Sequence, residues 1–123
     1  MPTRTAESEQ TDDFLPLPTV TFHILVALAD EELHGYAIIQ DIAARTGGEV
    51  RLGAGTLYRS IHRMLEQGLI VETAERPAPD HDDERRRYYR ITALGSAVAR
   101  AESRRLARLI RLARAKGLVP GKA

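Results

Sequence analysis

The segment from Gly55 to Gln67 constrains the fold of this chain more than any other, because its residues separate into two contrasting helical faces. With about 100° of rotation per residue, one face is apolar and comprises Leu57, Ile61, Met64 and Leu65. The opposite face is polar and comprises Thr56, Arg59, Arg63 and Glu66. A helix of this kind covers its apolar face against a core. We therefore predict a helix packed on a globular domain, with two arginines one turn apart facing solvent.

Three other segments have the apolar density or spacing of helices. The sequence predicts a buried helix over Thr19–Asp30 and a second helix over Tyr36–Arg45. A long last helix is expected from an N-capping Thr92 to about Ala115. Glycines at 47–48, 68 and 117 follow the ends of the later helices, where glycine readily adopts the left-handed conformation that ends a helix.

Between the third and the last helix the spacing changes to that of strands. Leu69–Glu75 and Arg85–Ile91 predict the two strands of a β-hairpin, with Pro77–Glu84 as a polar loop. Glu49–Leu52 predicts a very short strand, and Glu31–Gly35 a short connection. Three helices, a hairpin and a long helix make a mostly α (α+β) chain. This order is that of a winged helix-turn-helix with a long C-terminal dimerisation helix.

The distribution of charge favours a nucleic-acid partner more than the total charge does. The net charge is only +1 at pH 7, but the segment from Arg85 to Arg114 contains ten arginines. A duplex responds to the local field within a Debye length of about 10 Å. Arginines on an exposed helix can contact guanine, and those of the Arg85–Ile91 strand can clamp phosphates. Exposed arginines are often only solvated, so the neighbouring helix and hairpin are what favour DNA.

The predicted hairpin loop carries four carboxylates where a wing would approach a polyanion: Asp80, Asp82, Asp83 and Glu84. Three interpretations stay open. The acidic tip points away from DNA, it is neutralised by residues 85–87, or the wing does not contact DNA at all. We favour neutralisation, because long charged loops are usually mobile.

The residue types that carry catalysis or bind metals show no matching pattern. The chain has no cysteine, which excludes disulfides and thiolate metal sites and fits a reducing compartment. The histidines lack ligand spacing and are interpreted as surface or packing residues: His23, His34, His62 and His81. The segment Asp80–Asp83 is a weak cation candidate, because a mobile loop offers no supporting second shell. We expect no enzyme, no cofactor and no metal.

Neither a membrane segment nor a secretion signal is visible in the sequence. The longest apolar run, Ile24–Ala29, is far too short to span a bilayer. Residues 1–13 lack the basic and apolar regions of a signal peptide. We expect a cytoplasmic protein that has no membrane partner.

Four short motifs occur in register along the chain. They are His34-Gly35-Tyr36, Gly55-Thr56-Leu57-Tyr58, Leu65-Glu66-Gln67-Gly68-Leu69-Ile70 and Arg87-Tyr88-Tyr89-Arg90-Ile91-Thr92-Ala93-Leu94-Gly95. In order and spacing they resemble the N-terminal domain of PadR-family regulators over about residues 15–100. The resemblance implies a bacterial winged-helix repressor that binds double-stranded DNA, is dimeric, and is often relieved by a small molecule. Arg59 stands where the family often has proline.

Candidate functional residues follow from these patterns and from the resemblance, which supplies the tyrosines. The candidate DNA-binding residues are Thr56, Tyr58, Arg59, Arg63, Arg86, Arg87, Tyr88 and Arg90. An apolar stripe on the last helix supplies the candidate dimerisation residues Val98, Ala101, Leu106, Leu109 and Leu112. We expect nothing else in the chain to cover this stripe, so a second copy is its economical partner. A two-fold homodimer implies a palindromic DNA site.

The predicted domains are a disordered arm over 1–14, a DNA-binding domain over 15–92, a dimerisation helix over 93–115 and a flexible tail over 116–123. Glu102 and Arg105 fall within the arc of the apolar stripe. Three arrangements stay open for them: a pair with each other, a pair across the dimer axis, or a position at the edge of the stripe. An apolar effector is placed by analogy between Val20, Phe22 and the last helices. The alternative function is a winged-helix scaffold that binds a partner protein through the same exposed arginines.

Overall fold

The computed structural model describes residues 10–73, 76–78 and 81–120 of the chain. Its longest helices are α1 (Thr19–Ala27), α2 (Gly35–Arg45), α3 (Ala54–Glu66) and α4 (Ala93–Ala115). Its strands are β1 (Leu33–His34), β2 (Ile70–Glu72), β3 (Arg76–Ala78), β4 (His81–Arg86) and β5 (Tyr88–Ile91). All four predicted helices are confirmed, although α1 ends three residues before the predicted Asp30.

The predicted hairpin is confirmed, and it is longer than the sequence indicates. Strands β1, β5 and β2 form an antiparallel sheet in that order, with Ile70 opposite Ile91 and Glu72 opposite Tyr89. Beyond this sheet β3 and β4 pair as a second ladder. The prediction of a polar loop over Pro77–Glu84 is therefore wrong for most of its length, because backbone pairing to the facing strand decides its structure. We call the unit from β2 to β5 the wing.

Two short segments exchange the roles that the sequence predicted for them. The predicted connection contains β1, whose Leu33 lies opposite Tyr89 in the antiparallel ladder. The predicted strand Glu49–Leu52 is not a strand. Its backbone is used to close the end of α2 instead, since the Val50 N–H donates to the Thr46 hydroxyl oxygen at 3.0 Å. Alternation over four residues does not make a strand without a facing partner.

Helices α1, α2 and α3 turn their apolar sides into one core, and β5 lies against it. The most completely buried side chains include Ile24, Leu25, Ile38, Ile42, Leu57 and Leu69. Each of these contributes roughly 1.5–3 kcal/mol by its removal from water. The core therefore fixes α3 in position and leaves only one of its sides to solvent.

The start of α4 is joined closely to the end of α3 and the start of the wing. Thr92 caps the helix as predicted, because its hydroxyl oxygen accepts from the Gly95 N–H at 2.9 Å. The same hydroxyl donates to the carbonyl oxygen of Gly68 at 2.7 Å. A Cβ at Gly95 would overlap the carbonyl oxygen of Leu69. The first turn of α4 therefore lies directly on the backbone that leads into β2, at a distance open only to glycine. Gly68 itself has φ +77°, the left-handed conformation predicted for a helix end.

Among the described residues, those that pack on the α4 apolar stripe cover its first half. Val98 and Ala101 are buried in this single copy, where Val98 joins the core. The prediction that nothing in the chain covers the stripe is therefore wrong for these two residues, because α1 packs against this half of the helix. In the second half, Leu109 is 47% exposed and Leu112 is 67% exposed, and Leu106 is partly buried.

An ion pair and the N-terminal segment meet where the covered half of α4 ends. Glu102 is 3% exposed, and Arg105 donates to its two carboxylate oxygens at 2.6 and 2.9 Å. These residues thus pair with each other, one of the three arrangements left open by the sequence.

The predicted disordered arm over 1–14 is not supported for its last part, because residues 10–12 are helical and Thr11 is buried. Residues 1–9 lie outside the described residues.

Candidate nucleic-acid interface

Helix α3 presents the two faces that its sequence predicts. Leu57, Ile61 and Met64 are buried, and Leu65 is partly buried. Thr56, Arg59, Arg63 and Glu66 are all exposed. The helix begins after Gly53 without a side-chain cap, so the N–H groups of its first turn have no capping side chain. The exposed face is therefore a row of polar side chains held by a rigid apolar base.

The candidate residues on α3 fall into two groups along the helix. In the first turns, the Arg59 guanidinium lies 3.4 Å from the Thr56 hydroxyl oxygen, so these two side chains are neighbours on the exposed face. Tyr58 is 50% exposed and leans toward α2. Arg63 lies farther along and, with Gln67, lines a separate cavity of about 320 Å³ against residues 13–18. The structure thus brings Thr56 and Arg59 together and leaves Arg63 at the other end of the exposed face.

The base of the wing carries the second set of candidate residues. Tyr89 is buried, while Arg87 and Arg90 are exposed and Arg86 and Tyr88 are partly buried. The Arg87 Nε lies 3.5 Å from a carboxylate oxygen of Glu72. Of the acidic residues predicted at the tip, Asp80 lies outside the described residues, and the side chains of Asp82, Asp83 and Glu84 are likewise outside them. The question of whether the tip is neutralised stays a prediction.

A cavity of about 260 Å³ lies between α2, α3 and the wing. Its walls are formed by His34, Gly35, Tyr36, Tyr58, Arg86, Arg87 and Tyr89. Three candidate residues from distant parts of the sequence therefore meet here: Tyr58 from α3, and Arg86 and Arg87 from the wing. We call this space the His34 cavity, after the residue that stands between α2 and the wing.

His34 is a functional candidate that the sequence analysis interpreted as a surface or packing residue. Its Nδ1 accepts from the Ala37 N–H at 3.2 Å, which caps α2. Its Nε2 lies 3.1 Å from the Arg86 guanidinium, and its ring packs edge-on against Tyr88. Burial and, to a smaller extent, the Arg86 charge lower the pKa of His34 below its ordinary value of 6.5. The signal in the sequence was its place in the His34-Gly35-Tyr36 motif, which carried no role by itself.

Within the described part of the chain, no group of three or more histidine, cysteine or acidic side chains is placed to hold a metal ion. In the weak cation candidate Asp80–Asp83, Asp80 and the side chains of the other three residues lie outside the described residues. No helix in the described ranges is long and apolar enough to cross a membrane.

Comparison with known proteins identifies the family that this arrangement belongs to. The model of the transcriptional regulator PadR-like family matches residues 24–101, which run from α1 into α4. The chain belongs to the PadR-like family. A transcriptional regulator of Mycobacterium tuberculosis, Rv3488, is 38% identical over 92 residues, covering 75% of this chain and 79% of that protein. PadR-like proteins of this kind are regulators of transcription and not enzymes.

Solved structures with PadR-like architecture show the same fold. A transcriptional regulator from Clostridium thermocellum superimposes with a TM-score of 0.66 at 20% identity, covering 91% of this chain and 96% of that one. Bacillus subtilis PadR in complex with operator DNA superimposes with a TM-score of 0.60 at 18% identity, covering 68% of this chain and 47% of that one. The winged-helix fold with a long C-terminal helix, predicted from the sequence, is thereby confirmed.

Proposed function

We propose that this PadR-like protein is a cytoplasmic transcriptional repressor that binds double-stranded DNA sequence-specifically, as a homodimer on a palindromic operator. The observation that carries the proposal is the exposed polar face of α3, held on a buried apolar base beside an arginine-bearing wing. The major groove admits a helix of this kind, and arginine can donate to guanine through two N–H groups. The Bacillus subtilis relative, whose structure holds operator DNA, supports this assignment.

The candidate residues divide by the part of the duplex that each one reaches. We assign Thr56, Arg59 and Arg63 to the major groove, because they share the exposed face of α3. We assign to the phosphate backbone the residues beside and on the wing, which are Tyr58, Arg86, Arg87, Tyr88 and Arg90. Contacts to bases carry sequence preference, whereas contacts to phosphates carry affinity that weakens with salt.

The second half of α4 supports the homodimer. Leu109, Leu112 and the partly buried Leu106 continue the apolar stripe beyond the part that α1 covers. A separate apolar groove of about 420 Å³ lies between α1 and residues 99–104 of α4, with Phe22 and Val26 on one wall. A second copy that packs on Leu109 and Leu112 would cover them in a two-fold contact. We place the apolar effector in the same groove, on the Phe22 side.

Fluorescence anisotropy with the DNA upstream of the protein's own gene tests the function, at two salt concentrations and with competitor DNA. A repressor retains specific binding in the presence of competitor, and the affinity falls as salt rises. A matched duplex with a scrambled sequence is the control. Equal binding to both duplexes, or complete loss to competitor, would instead favour the scaffold interpretation, in which the α3 arginines face a partner protein.

A further inference from the structure

The His34 cavity is lined mainly by side chains that can donate hydrogen bonds. Two arginines, one histidine and three tyrosines line it. It opens beside Tyr58, on the side of the molecule from which α3 and the wing would meet a duplex. Such a cluster favours an anion, because guanidinium and imidazole N–H groups donate strongly to oxyanions.

The two contacts of His34 cannot both be satisfied within the protein. A neutral imidazole has one acceptor nitrogen, and a protonated imidazole has none. The Ala37 N–H faces Nδ1 at 3.2 Å, and the Arg86 guanidinium, which can only donate, faces Nε2 at 3.1 Å. If Nδ1 accepts the cap, Nε2 carries a proton that points toward another donor. An oxygen that accepts from both groups would resolve this conflict.

We propose that the His34 cavity binds one phosphate of the DNA backbone, with the His34 Nε2–H and the Arg86 guanidinium as its two donors. This proposal rests on the DNA-binding function proposed above. His34 then has two roles: Nδ1 caps α2 and Nε2 positions the duplex. In this way the short connection between α1 and α2 becomes part of the interface, although its sequence indicated no binding role.

Charged and titratable groups surround His34 from each element packed on it. They are Tyr36 of α2, Tyr58 of α3, Glu72 of β2, Arg86 of β4, Arg87, and Tyr88 and Tyr89 of β5. Glu72, the carboxylate of this set, lies 3.5 Å from Arg87 and so offsets that arginine in part. The set keeps a positive balance, and Arg86 is the cation nearest to the imidazole. A phosphate would oppose the effect of Arg86 and raise the pKa of His34.

The close approach of Tyr58 to Gly35 supports the same site. A Cβ at Gly35 would overlap the Tyr58 hydroxyl oxygen, so this hydroxyl lies directly on the first residue of α2. Glycine at this position lets the α3 tyrosine reach the edge of the cavity beside His34. The hydroxyl is thus placed as a further donor at the rim.

Two variants separate this role from a purely structural one. His34→Asn keeps a good helix cap, because asparagine is among the preferred capping residues, but removes the Nε2–H donor. Arg86→Gln removes the charge and keeps a polar side chain. Matched controls are His23→Asn in α1 and Arg114→Gln at the end of α4, since neither residue lines the cavity. Thermal unfolding of all four proteins checks that the fold is retained.

We expect each test variant to bind a duplex of about 20 bp roughly tenfold more weakly than the wild type, the loss typical of one charge-assisted hydrogen bond. Arg86→Gln should also reduce the slope of log K against log salt by about 1, as expected for the loss of one phosphate contact. His34→Asn should leave the slope unchanged at a pH well above the pKa that His34 has in the complex, where the imidazole is neutral. In NMR spectra, duplex should raise the pKa of the His34 imidazole, and the controls should behave as wild type.

Three other outcomes would each be decisive. If the wild type binds duplex while both variants match it in affinity and slope, the phosphate site is wrong and the DNA-binding function stands. If inorganic phosphate alone moves the His34 resonances and duplex does not, the cavity holds a free anion and its assignment to DNA is overturned. If the wild type binds no duplex, the proposed function fails, and this inference fails with it.

Discussion

Helices α3 and α4 are both amphipathic and both carry rows of exposed arginines, yet they are completed in different ways. The apolar side of α3 is covered along its whole length by its own chain. Within the described residues, the apolar side of α4 is buried as far as Glu102; beyond it Leu106 is partly buried, and Leu109 and Leu112 are exposed. A fully covered helix can present its polar side to a ligand, whereas a half-covered helix still needs a partner for its apolar side. The polar residues of α3 and the apolar residues of α4 are therefore the ones to test.

The largest expected effect contrasts the two apolar sides directly. Leu57→Ala in α3 removes a side chain that is 0% exposed, and we expect a loss of about 2–5 kcal/mol in the free energy of unfolding. Leu112→Ala in α4, where the leucine is 67% exposed, should cost under about 0.5 kcal/mol in the monomer. Urea unfolding at equal, low protomer concentration measures both. Similar losses for the two variants would contradict the contrast between the helices.

The second prediction tests whether α4 needs a partner. Replacing both Leu109 and Leu112 by glutamate places charges on the exposed stripe. We expect the dissociation constant of the dimer to rise at least about 100-fold, which corresponds to ~2.7 kcal/mol. Sedimentation equilibrium measures the association. The near-UV spectrum should be unchanged, because neither residue belongs to the buried core. A wild type that is monomeric at high concentration would overturn the proposed homodimer.

The third prediction addresses the polar side of α3. Arg63→Ala should weaken operator binding by about 1–3 kcal/mol and relax the preference at one base position if Arg63 reads a base. Binding to a set of operator variants, followed by anisotropy, measures both effects. Arg108→Ala, on the exposed side of α4, is the matched control. Uniform weakening on all duplexes would assign Arg63 to phosphate, and no change would remove it from the interface.

The smallest expected effect lies at Glu102, where the covered half of α4 ends. The hydrogen bonds from Arg105, helped by the Arg105 charge and a backbone N–H of Leu17 and opposed by burial, lower the pKa of Glu102 below its ordinary 4.5. Because the folded state favours the ionised form, this contribution is complete above pH 4.5 and is lost as the pH falls through the lowered pKa. We expect Glu102→Gln to cost about 1–2 kcal/mol near neutral pH. The free energy of unfolding should fall less between neutral and acid pH in the variant than in the wild type, as measured by urea unfolding at each pH.

The parts that the sequence predicted well are those that depend on local patterns. The two faces of α3, the cap at Thr92 and the left-handed Gly68 follow from residue types within one or two helical turns. The four motifs in register were specific enough to indicate the family. The exposure of Thr56 and Glu66 on the same side as the α3 arginines was also predicted, because helical spacing determines which residues share a side.

The parts that the sequence did not predict depend on residues far apart in the chain. Strand β1 has two residues, too few for any periodicity, and it forms because Leu33 pairs with Tyr89 in the antiparallel ladder. The charged residues of β4 have low strand preference, and pairing with β3 overrides it. The packing of α1 on Val98 and the contact of His34 with Arg86 likewise join residues more than 50 positions apart.

The tight junction at Gly95 has a mechanical consequence. With no room for a side chain above Leu69, α4 cannot tilt at its root without displacing the wing and α3 as well. A 23-residue helix is about 34 Å long, so a small rotation of α4 at its far end produces a large displacement of α3 at its start. In the proposed homodimer, with two copies joined at the far ends of α4, a change of about 10° in the crossing angle would shift each α3 by about 6 Å, half the ~12 Å width of the major groove. An effector that changes the angle between the two α4 helices would thus release the duplex without contacting any residue that binds DNA.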